Sequence, residues 1–480
     1  QLSHTGTGTL AINAGALSNV AGNVATGGQL AVTAASVSNQ RGQMIAAAAE
    51  NFNVTGNVAN SQGILQSGTG MTVQAGAIDN SAGRITSLDA SGLTLSTSGQ
   101  LTNTTGITAS GAVGGVIGSN GNVVIGAANV VNSGQINGSG NLTTNVNGTL
   151  DNSSGHLAAG QTLQANAAAV KNTNGVIDGA SVALTAPQLD NSHGAITANQ
   201  LTIHSTNLSN QAGQLAQFGT GATTIAVAGT LDNSNGGAIQ TNSTDLALTP
   251  QTLNNQGGSI GHAGAGTLTI NTGSGGVSNQ NGSIATNGQL AVTAGSVNNL
   301  AGKLTANAGE SLAVTGALNN AQGTIQTAKA LQLSAGSVDN TAGRIVSLDA
   351  SGMSLSITGQ LTNAAGGVIG GNGSASVTAA NATNGGSITA TDNLTTNVGG
   401  MLDNGGGRLA AGQALQANAA ALKNNAGVID AANVGLTIAQ LDNSHGKVSA
   451  DQLTIHSTNL TNEAGQLAQF GTGANVIDVA

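Results

Sequence analysis

Apolar side chains alternate with polar or small ones in short runs that recur along the whole chain. In residues 289–309, Leu290, Val292 and Ala294 alternate with small or hydroxylated neighbours. This two-residue period predicts a β-strand with one buried face. The β-branched residues in the runs and the glycine at nearly every corner exclude a helical repeat.

Each run leads into a corner of the form apolar-x-Asn-x-x-Gly-apolar. In the same stretch Val297 is predicted to face inward, Asn299 follows it, Gly302 closes the corner and Leu304 begins the next short strand. Asn and Gly tolerate the left-handed backbone conformation better than other residues. We therefore expect the chain to turn at these positions.

The corner asparagine recurs at a nearly constant interval, with most steps between 19 and 24 residues and a mean of about 21, the period of a solenoid. Stacked turns would align the side-chain amides in a hydrogen-bonded ladder. We predict this structural ladder for Asn19, Asn39, Asn60, Asn80, Asn103, Asn152, Asn172, Asn191, Asn210, Asn233, Asn255, Asn279, Asn299, Asn320, Asn340, Asn363, Asn404, Asn424, Asn443 and Asn462. Asn132 and Asn384 share the same phase, but Asn384 lies in the less regular segment AlaThrAsnGlyGly and is expected to tolerate substitution better.

Composition supports a thin solenoid rather than a globular core. The 480 residues include 75 glycines, 6% charged residues and three aromatic residues (Phe52, Phe218 and Phe470), with no Cys, Trp or Tyr. Large side chains that would fill a globular core are missing. Disorder is the competing interpretation, but 39% hydrophobic residues, a net charge of −9 and only two prolines argue against it.

Charge and hydropathy argue against nucleic-acid binding and against a membrane-spanning helix. The few charges are spread thinly, with no basic cluster or aromatic stacking platform, so nucleic-acid binding is disfavoured. No apolar run approaches 18 residues, so the chain is not expected to span a membrane as a helix. The lack of cysteine is compatible with an oxidising, extracytoplasmic location.

A longer duplication overlies the short repeat. Arg84 matches Arg344 at an offset of 260, and residues 189–222 match 441–474 at 28 of 34 positions at an offset of 252; the first copy carries eight extra residues near 104–113. We predict one repeat array over 1–480, with long blocks at approximately 1–260 and 261–480. Both ends fall within turns, so we expect the sequence to be a fragment of a larger protein.

The motif apolar-Asp/Thr/Ser-Asn-x-x-Gly-x-Ile/Leu, as in LeuAspAsnSerSerGlyHisLeu (150–157) and ValAspAsnThrAlaGlyArgIle (338–345), resembles the filamentous haemagglutinin repeat. The resemblance covers essentially the whole chain. It implies an all-β, right-handed parallel β-helix of about 22–23 turns of about 21 residues.

The same resemblance implies a structural shaft in a two-partner-secretion exoprotein of Gram-negative bacteria. Such a protein is exported by a dedicated outer-membrane β-barrel transporter, is secreted or held at the cell surface, and projects distal adhesive or effector domains. Host or bacterial receptors or glycans are the partners that an adhesin implies. The alternative is the shaft of a contact-dependent growth inhibition protein, whose toxin would lie outside this segment.

Histidines and aspartates recur at fixed places in the repeat and are the candidates for a metal site. His193 and His204, with their counterparts His445 and His456, lack the additional ligands that a metal site needs and are expected to be surface or corner residues. A calcium ladder of the recurring AspAsn dipeptides is disfavoured, because many turns carry Thr, Ser or Lys at that position. No cofactor is predicted.

The long interval after Asn103 carries no ionisable side chain, so the loop-borne acids and bases of a polysaccharide-cleaving β-helix are missing and no enzyme is predicted. Phe218 and Phe470 share the motif GlyGlnLeuAlaGlnPheGlyThrGly. We expect each to fill a wider turn; the alternative is an exposed anchor for a partner.

Overall fold

The fold is a parallel β-solenoid. A computed structural model describes residues 1–109, 111–364 and 366–480, and within these ranges the chain forms strands, turns and bends but no helix. Strands of successive turns pair in parallel with a spacing close to the repeat length, as in Lys303↔Thr324 and Leu304↔Ile325. The predicted all-β solenoid is confirmed.

The chain divides into two compact units. The first contains residues 1–232 and 237–243, and the second contains residues 233–236 and 244–480. Both units are built from the same turn, so one turn serves to describe them.

Each regular turn contributes three short strands, one more than the apolar pattern alone indicated. We call them columns A, B and C, and in the second unit they are represented by Ser283–Thr286, Gln289–Ala294 and Ser296–Asn298. Column A follows the glycine corner, column B follows column A, and column C ends at the corner asparagine or at the residue before it. Several long strands run through two or three columns without a break.

In the first unit, column A contains Leu2–His4, Asn23–Thr26, Gln43–Ala46, Ile64–Ser67, Arg84–Ser87, Val116–Ser119, Gln135–Gly138, Gln214–Gln217 and Ala238–Thr241. Column B contains Glu50–Val54, Met71–Ala75, Leu93–Thr97, Val123–Ala127 and Thr224–Val227. Column C contains Asn57–Ala59, Ala77–Asp79, Gln100–Asn103, Asn129–Asn132, Gln188–Asp190, Asn207–Ser209 and Thr230–Asp232. Strands spanning more than one column are Leu10–Ser18, Leu30–Ser38, Leu142–Asp151, His156–Lys171, Val176–Thr185 and Ala195–Ser205.

In the second unit, column A contains Ser259–His262, Ser283–Thr286, Lys303–Ala306, Thr324–Thr327, Arg344–Ser347, Val368–Gly371, Ser387–Ala390, Arg408–Ala411 and Gln466–Gln469. Column B contains Leu246–Leu248, Thr267–Asn271, Gln289–Ala294, Glu310–Val314, Leu331–Ala335 and Val476–Val479. Column C contains Thr252–Asn254, Gly276–Ser278, Ser296–Asn298, Ala317–Asn319 and Ser337–Asp339. Strands spanning more than one column are Met353–Asn363, Ala375–Asn384, Leu394–Asp403, Ala414–Lys423, Val428–Asp442 and Lys447–Thr461.

The core is the set of side chains that alternate inward along these strands. In Gln289–Ala294 the inward residues Leu290, Val292 and Ala294 are buried, and the residues between them are partly or fully exposed. The interior is only one side-chain layer deep from each wall, which is why aliphatic residues of moderate size fill it. Phe52 is also buried in this layer.

The eight-residue excess of the first block forms a small antiparallel hairpin. Its strands are Gly106–Thr108 and Gly111–Val113, and they pair with each other rather than with the parallel columns. Gln62 donates a hydrogen bond from Nε2 to the carbonyl of Ile107 at 3.1 Å, which ties the hairpin to a neighbouring corner. The insertion is therefore accommodated outside the ladder of stacked strands.

The corner backbone differs from the expectation in one respect. The left-handed residue is neither the corner Asn nor the glycine that closes the corner, but usually the residue two after the Asn, such as Ala301 with φ of 52°. Arg41, Gln62 and His193 hold the same position with φ of 56°. Such a conformation costs a non-glycine residue about 1–2 kcal/mol, so the surrounding hydrogen bonds must offset it at turn after turn.

The asparagine columns and other candidate sites

The corner asparagines of the first unit form a continuous side-chain column. Each Nδ2 donates to Oδ1 of the asparagine in the next turn at 2.7–2.8 Å. The members in this unit are Asn19, Asn39, Asn60, Asn80, Asn103, Asn132, Asn152, Asn172, Asn191 and Asn210.

The second unit has a column of the same kind, also with Nδ2–Oδ1 distances of 2.7–2.8 Å. Its members are Asn233, Asn255, Asn279, Asn299, Asn320, Asn340, Asn363, Asn384, Asn404, Asn424, Asn443 and Asn462.

Burial and bonding of the amide explain why Asn is needed at this position. Asn299 has no exposed surface, and its Oδ1 accepts from Asn279 at 2.7 Å. Its Nδ2 donates to Asn320 Oδ1 at 2.7 Å and lies near the carbonyls of Gly302 at 3.3 Å and Thr324 at 3.2 Å. A buried amide is stable only when its donors and acceptor are satisfied, and the repeat provides these partners for the buried asparagines inside each column.

The column also explains the glycine three residues after the Asn. A Cβ on Gly302 would lie 2.1 Å from the carbonyl oxygen of Asn279 and 2.6 Å from Oδ1 of Asn299. The two turns can approach closely enough for the amides to bond only because no side chain is present. The Asn and the Gly of the Asn-x-x-Gly spacing therefore serve the same close packing of neighbouring turns.

Asn132 and Asn384 belong to the columns like the other members. Asn384 is fully buried, accepts from Asn363 at 2.8 Å and donates to Asn404 at 2.7 Å. The expectation that Asn384 tolerates substitution better is therefore wrong in its premise. Its corner is shorter in sequence, yet the amide occupies the same place.

The aspartates before the corner asparagines cap the corners. In Asp79, Asp151, Asp190, Asp339, Asp403 and Asp442, Oδ1 accepts the backbone N–H of the residue two positions on, at 2.9–3.0 Å. Burial raises the pKa of Asp79, but hydrogen bonds from Ser61 and Ser81 outweigh it and leave that pKa below its ordinary value. Hydrogen bonds from Ser444 likewise lower the pKa of Asp442.

The four histidines that were candidate metal ligands lie at two different kinds of position. His193 and His445 occupy left-handed corner positions, whereas His204 and His456 lie on the outer face of column B, and all four are exposed. Among the described residues there is no group of three or more His, Cys, Asp or Glu side chains placed to hold a metal ion.

The two late phenylalanines are exposed, so the prediction that they fill wider turns is wrong. Phe218 is 60% exposed and Phe470 is 69% exposed, each directly after a column A strand. The residue that fills the turn is the preceding glutamine. Gln217 Oε1 accepts from the Leu201 N–H at 2.9 Å, and its Nε2 donates to the Gly221 carbonyl at 2.6 Å.

Two buried acids, Glu50 and Glu310, were not predicted from the sequence pattern. They begin column B strands and point inward at a position where the neighbouring turns have Leu or Met. The available signal was an acidic residue at an inward position of the period-two pattern, matched at an offset of 260. Burial raises the pKa of both carboxyls well above its ordinary value.

The clefts described on the second unit are lined mainly by small and polar side chains. A shallow groove of about 740 Å³ along columns B and C is lined by residues such as Ser356, Thr378, Asn397 and Asn418, with no ionisable side chain. No helix among the described residues has the length and apolar character to cross a membrane.

Period, parallel stacking and asparagine columns define the molecule as a β-solenoid repeat protein. The family model described as "Haemagglutinin repeat" matches residues 5–62, 46–105, 107–154, 218–269, 263–320 and 300–367, more than half of the chain. The chain therefore belongs to the haemagglutinin repeat family.

One curated relative is the protein called tRNA nuclease CdiA-2 of Burkholderia pseudomallei (strain 1026b). It is 41% identical over 183 residues, which are 38% of this chain and 6% of the relative. The matched segment is thus a small part of a much longer protein. No solved structure matches the chain.

Proposed function

We propose that this chain is part of the structural shaft of a large secreted exoprotein, which holds distal adhesive or effector domains away from the cell. The observation that carries the proposal is the asparagine column, which joins successive corners through buried amides at 2.7–2.8 Å in each unit. The corner Asn and Gly that distinguish this repeat both serve to stack one turn on the next. A spacer needs this property, and a catalytic site does not.

The relative favours an effector-carrying shaft over a purely adhesive one. Its printed name is that of a tRNA nuclease, and the aligned segment spans 6% of its length. By analogy, this chain would serve a toxin-delivery protein of the contact-dependent growth inhibition type, with the toxin in another segment. A filamentous haemagglutinin-like adhesin that binds receptors or glycans is the second candidate, supported by the family membership.

The partner and location follow from the same proposal. A shaft of this family would be exported through a dedicated outer-membrane transporter and would act in the secreted or cell-surface state. Parallel stacking suits this route, because each new turn adds to a preformed edge and contacts only its neighbours.

The test separates spacing from direct binding. In the complete exoprotein, residues 320–339, one full repeat between Asn320 and Asn340, are deleted in one variant. In a matched variant, outward-facing residues Gln332 and Ser334 of the same turn are replaced by Lys. A third variant deletes residues 246–352, five whole turns from Leu246 to the residue before Met353, which holds the same register position. Surface display and target-cell inhibition or adhesion are measured for each.

A shaft predicts near-normal activity after removal of one turn, a clear loss after removal of many turns despite normal display, and no effect of the surface substitutions. Loss of activity from the surface substitutions at normal display would show that the face itself binds the target. Full activity after the long deletion would contradict the spacer role.

A further inference from the structure

Two of the three glutamates in the chain are buried inside the solenoid. Glu50 is 0% exposed and Glu310 is 4% exposed, whereas Glu463 lies at an exposed corner. Glu50 and Glu310 are related by the 260-residue duplication, so the same buried acid is present in both long blocks. Acids are seldom fully buried without a partner, and neither the shaft function nor the asparagine columns uses these two.

The walls around Glu50 are apolar. In the parallel register Glu50 lies between Leu30 of the turn before and Met71 of the turn after. Across the interior, its own turn contributes the buried side chains Met44 and Val58. Neither carboxyl oxygen of Glu50 has a hydrogen-bond partner among the described residues.

Glu310 has the same surroundings. It lies between Leu290 and Leu331 in the register. The inward residues of its own turn include Leu304 and Leu318, which are both buried. Its two carboxyl oxygens also lack a hydrogen-bond partner within the described part of the chain.

Hydroxyl groups nearby are already engaged. Beside each Glu, column A ends in an alanine, Ala46 or Ala306, and the turns before and after carry Ser or Thr at that position. Thr26 Oγ1 accepts from the Gly28 N–H at 3.1 Å, and Ser67 Oγ donates to the Thr69 carbonyl at 2.7 Å.

The hydroxyl groups near Glu310 are engaged in the same way. Thr286 Oγ1 accepts from the Gly288 N–H at 3.0 Å, and Thr327 donates to the carbonyl of Ala308. These hydroxyls therefore complete their own corners and leave the acids unpaired.

Charged groups on the adjoining elements do not neutralise the acids. In the turn of Glu310 and the turn after it, Lys303 and Lys329 are exposed. The buried His262 lies two turns before Glu310, with Nδ1 2.9 Å from Thr286 Oγ1. The half-buried His4 lies two turns before Glu50, with Nδ1 3.0 Å from Thr26 Oγ1. Burial is the largest influence on the pKa of both acids and raises it. For Glu50 the backbone at Ala46 lowers the pKa in part, although this contact does not have the geometry of a hydrogen bond.

We propose that Glu50 and Glu310 couple the folding of their turns to proton uptake, so that each turn closes around an uncharged carboxyl and ionisation opens it. An ionised carboxylate between these apolar side chains would lose its hydration without gaining a partner. The duplicated acids thus make two internal positions of the solenoid sensitive to pH, while turns with Leu or Met at this position are not. The inference is independent of the proposed shaft function.

The sign of the effect follows from the direction of the pKa shift. The pKa of each acid is higher in the folded state than its unfolded value of about 4.3. The stability associated with the uncharged acid is therefore present in full below that unfolded value and is lost as the pH rises through the folded-state pKa. Mild acid stabilises these turns, and neutral or alkaline pH weakens them.

The test compares the wild-type chain with the double variant Glu50→Leu/Glu310→Leu, which restores the residue of neighbouring turns. A second double variant, Glu50→Gln/Glu310→Gln, removes ionisation and keeps the size, and Glu463→Gln is the exposed control. Urea unfolding midpoints are measured at pH 5 and pH 8. The infrared carbonyl band of protonated carboxylic acid is recorded for the folded wild type at pH 7.

The wild type and the Glu463 variant should both lose stability between pH 5 and pH 8, and both double variants should show a smaller loss. The folded wild type should keep a protonated-carboxyl band at pH 7 that is weaker in whichever double variant folds. Equal pH dependence in the wild type and the double variants would overturn the proposal. So would the lack of the protonated band in the folded wild type, whether or not the variants fold.

Discussion

At the scale of single residues, the corner asparagine has a role that its neighbours cannot take over. Asn299 is both the acceptor for Asn279 and the donor to Asn320, at 2.7 Å in each case. Replacing it leaves one buried donor and one buried acceptor without their partners. The cost of such unsatisfied groups exceeds the net gain of an ordinary hydrogen bond.

Asn299→Leu should destabilise the fold by about 1–3 kcal/mol, because a leucine cannot replace either hydrogen bond. The unfolding midpoint in urea measures the change. Asn307→Leu is the control, since Asn307 is exposed and donates only a 3.2 Å hydrogen bond to Asn287. An unchanged midpoint for Asn299→Leu would refute the structural importance of the column.

Asn384→Leu should cost about as much as Asn299→Leu, because both amides are fully buried and bonded on both sides. The same urea titration decides the matter. If Asn384→Leu behaves like the exposed Asn307→Leu, then burial within the column does not determine the stability of the corner.

Gly302→Ala should be strongly disruptive, since the added Cβ would lie 2.1 Å from the carbonyl oxygen of Asn279 and backbone would have to move. Gly126→Ala is the matched control, because a Cβ there meets nothing within 4 Å and Gly126 lies on an exterior position of a column B strand. Thermal unfolding should separate the two variants clearly. Equal melting temperatures would show that the turns are not held this close.

The burial of single residues could be predicted from the sequence wherever the same residue type recurs at the same position of each turn and makes the same contact there. The position of Leu290, Val292 and Ala294 in the core follows directly from the two-residue alternation. Phe218 and Glu50 did not follow, because each breaks the rule that size and polarity decide burial. The phenylalanine is exposed since Gln217 already fills the turn with three hydrogen bonds.

At the scale of elements, the corner after Asn103 shows how the repeat accepts an insertion. In the first unit the Gly115 N–H donates to the Thr104 carbonyl at 3.0 Å, across the hairpin. In the second unit, which lacks the hairpin, the Gly367 N–H donates to the Ala364 carbonyl at 3.0 Å. The same corner bond forms with and without the insertion.

Deletion of residues 106–113 should leave the solenoid folded and change its stability by no more than about 0.5 kcal/mol, as for surface changes away from the core. The reason is that both hairpin strands pair only with each other. Circular dichroism and urea unfolding provide the measurement. As a control, removal of residues 302–309 takes out the column A strand Lys303–Ala306 and should unfold that region.

The sequence predicted the element types better than their number. Three strands per turn are present where the apolar pattern indicated two, because column C is only about three residues long and too short to show a period, as in Ser296–Asn298. The left-handed residue was also misplaced, since Ala301 has no compositional preference for φ of 52°. Its conformation is imposed by the hydrogen bonds of the corner.

At the scale of the whole molecule, the repeat determines which changes in chain length the solenoid can accept. Each turn is a unit that pairs in register with the next, so a whole repeat is removable and a fraction of one is not. Removal of residues 320–339 would place Asn340 directly after Asn319, where Asn320 now follows it. The next column bond would then join Asn299 to Asn340.

The most direct test of this account compares deletion of residues 320–339 with deletion of residues 320–329, which removes about half a turn. The unfolding midpoint and the far-ultraviolet circular dichroism of both proteins are measured against the intact chain. The full-turn deletion should keep the β-spectrum and a midpoint close to the intact value, and the half-turn deletion should lose both. Equal tolerance of the two deletions, or equal damage from them, would contradict a stacked solenoid held together by its asparagine columns.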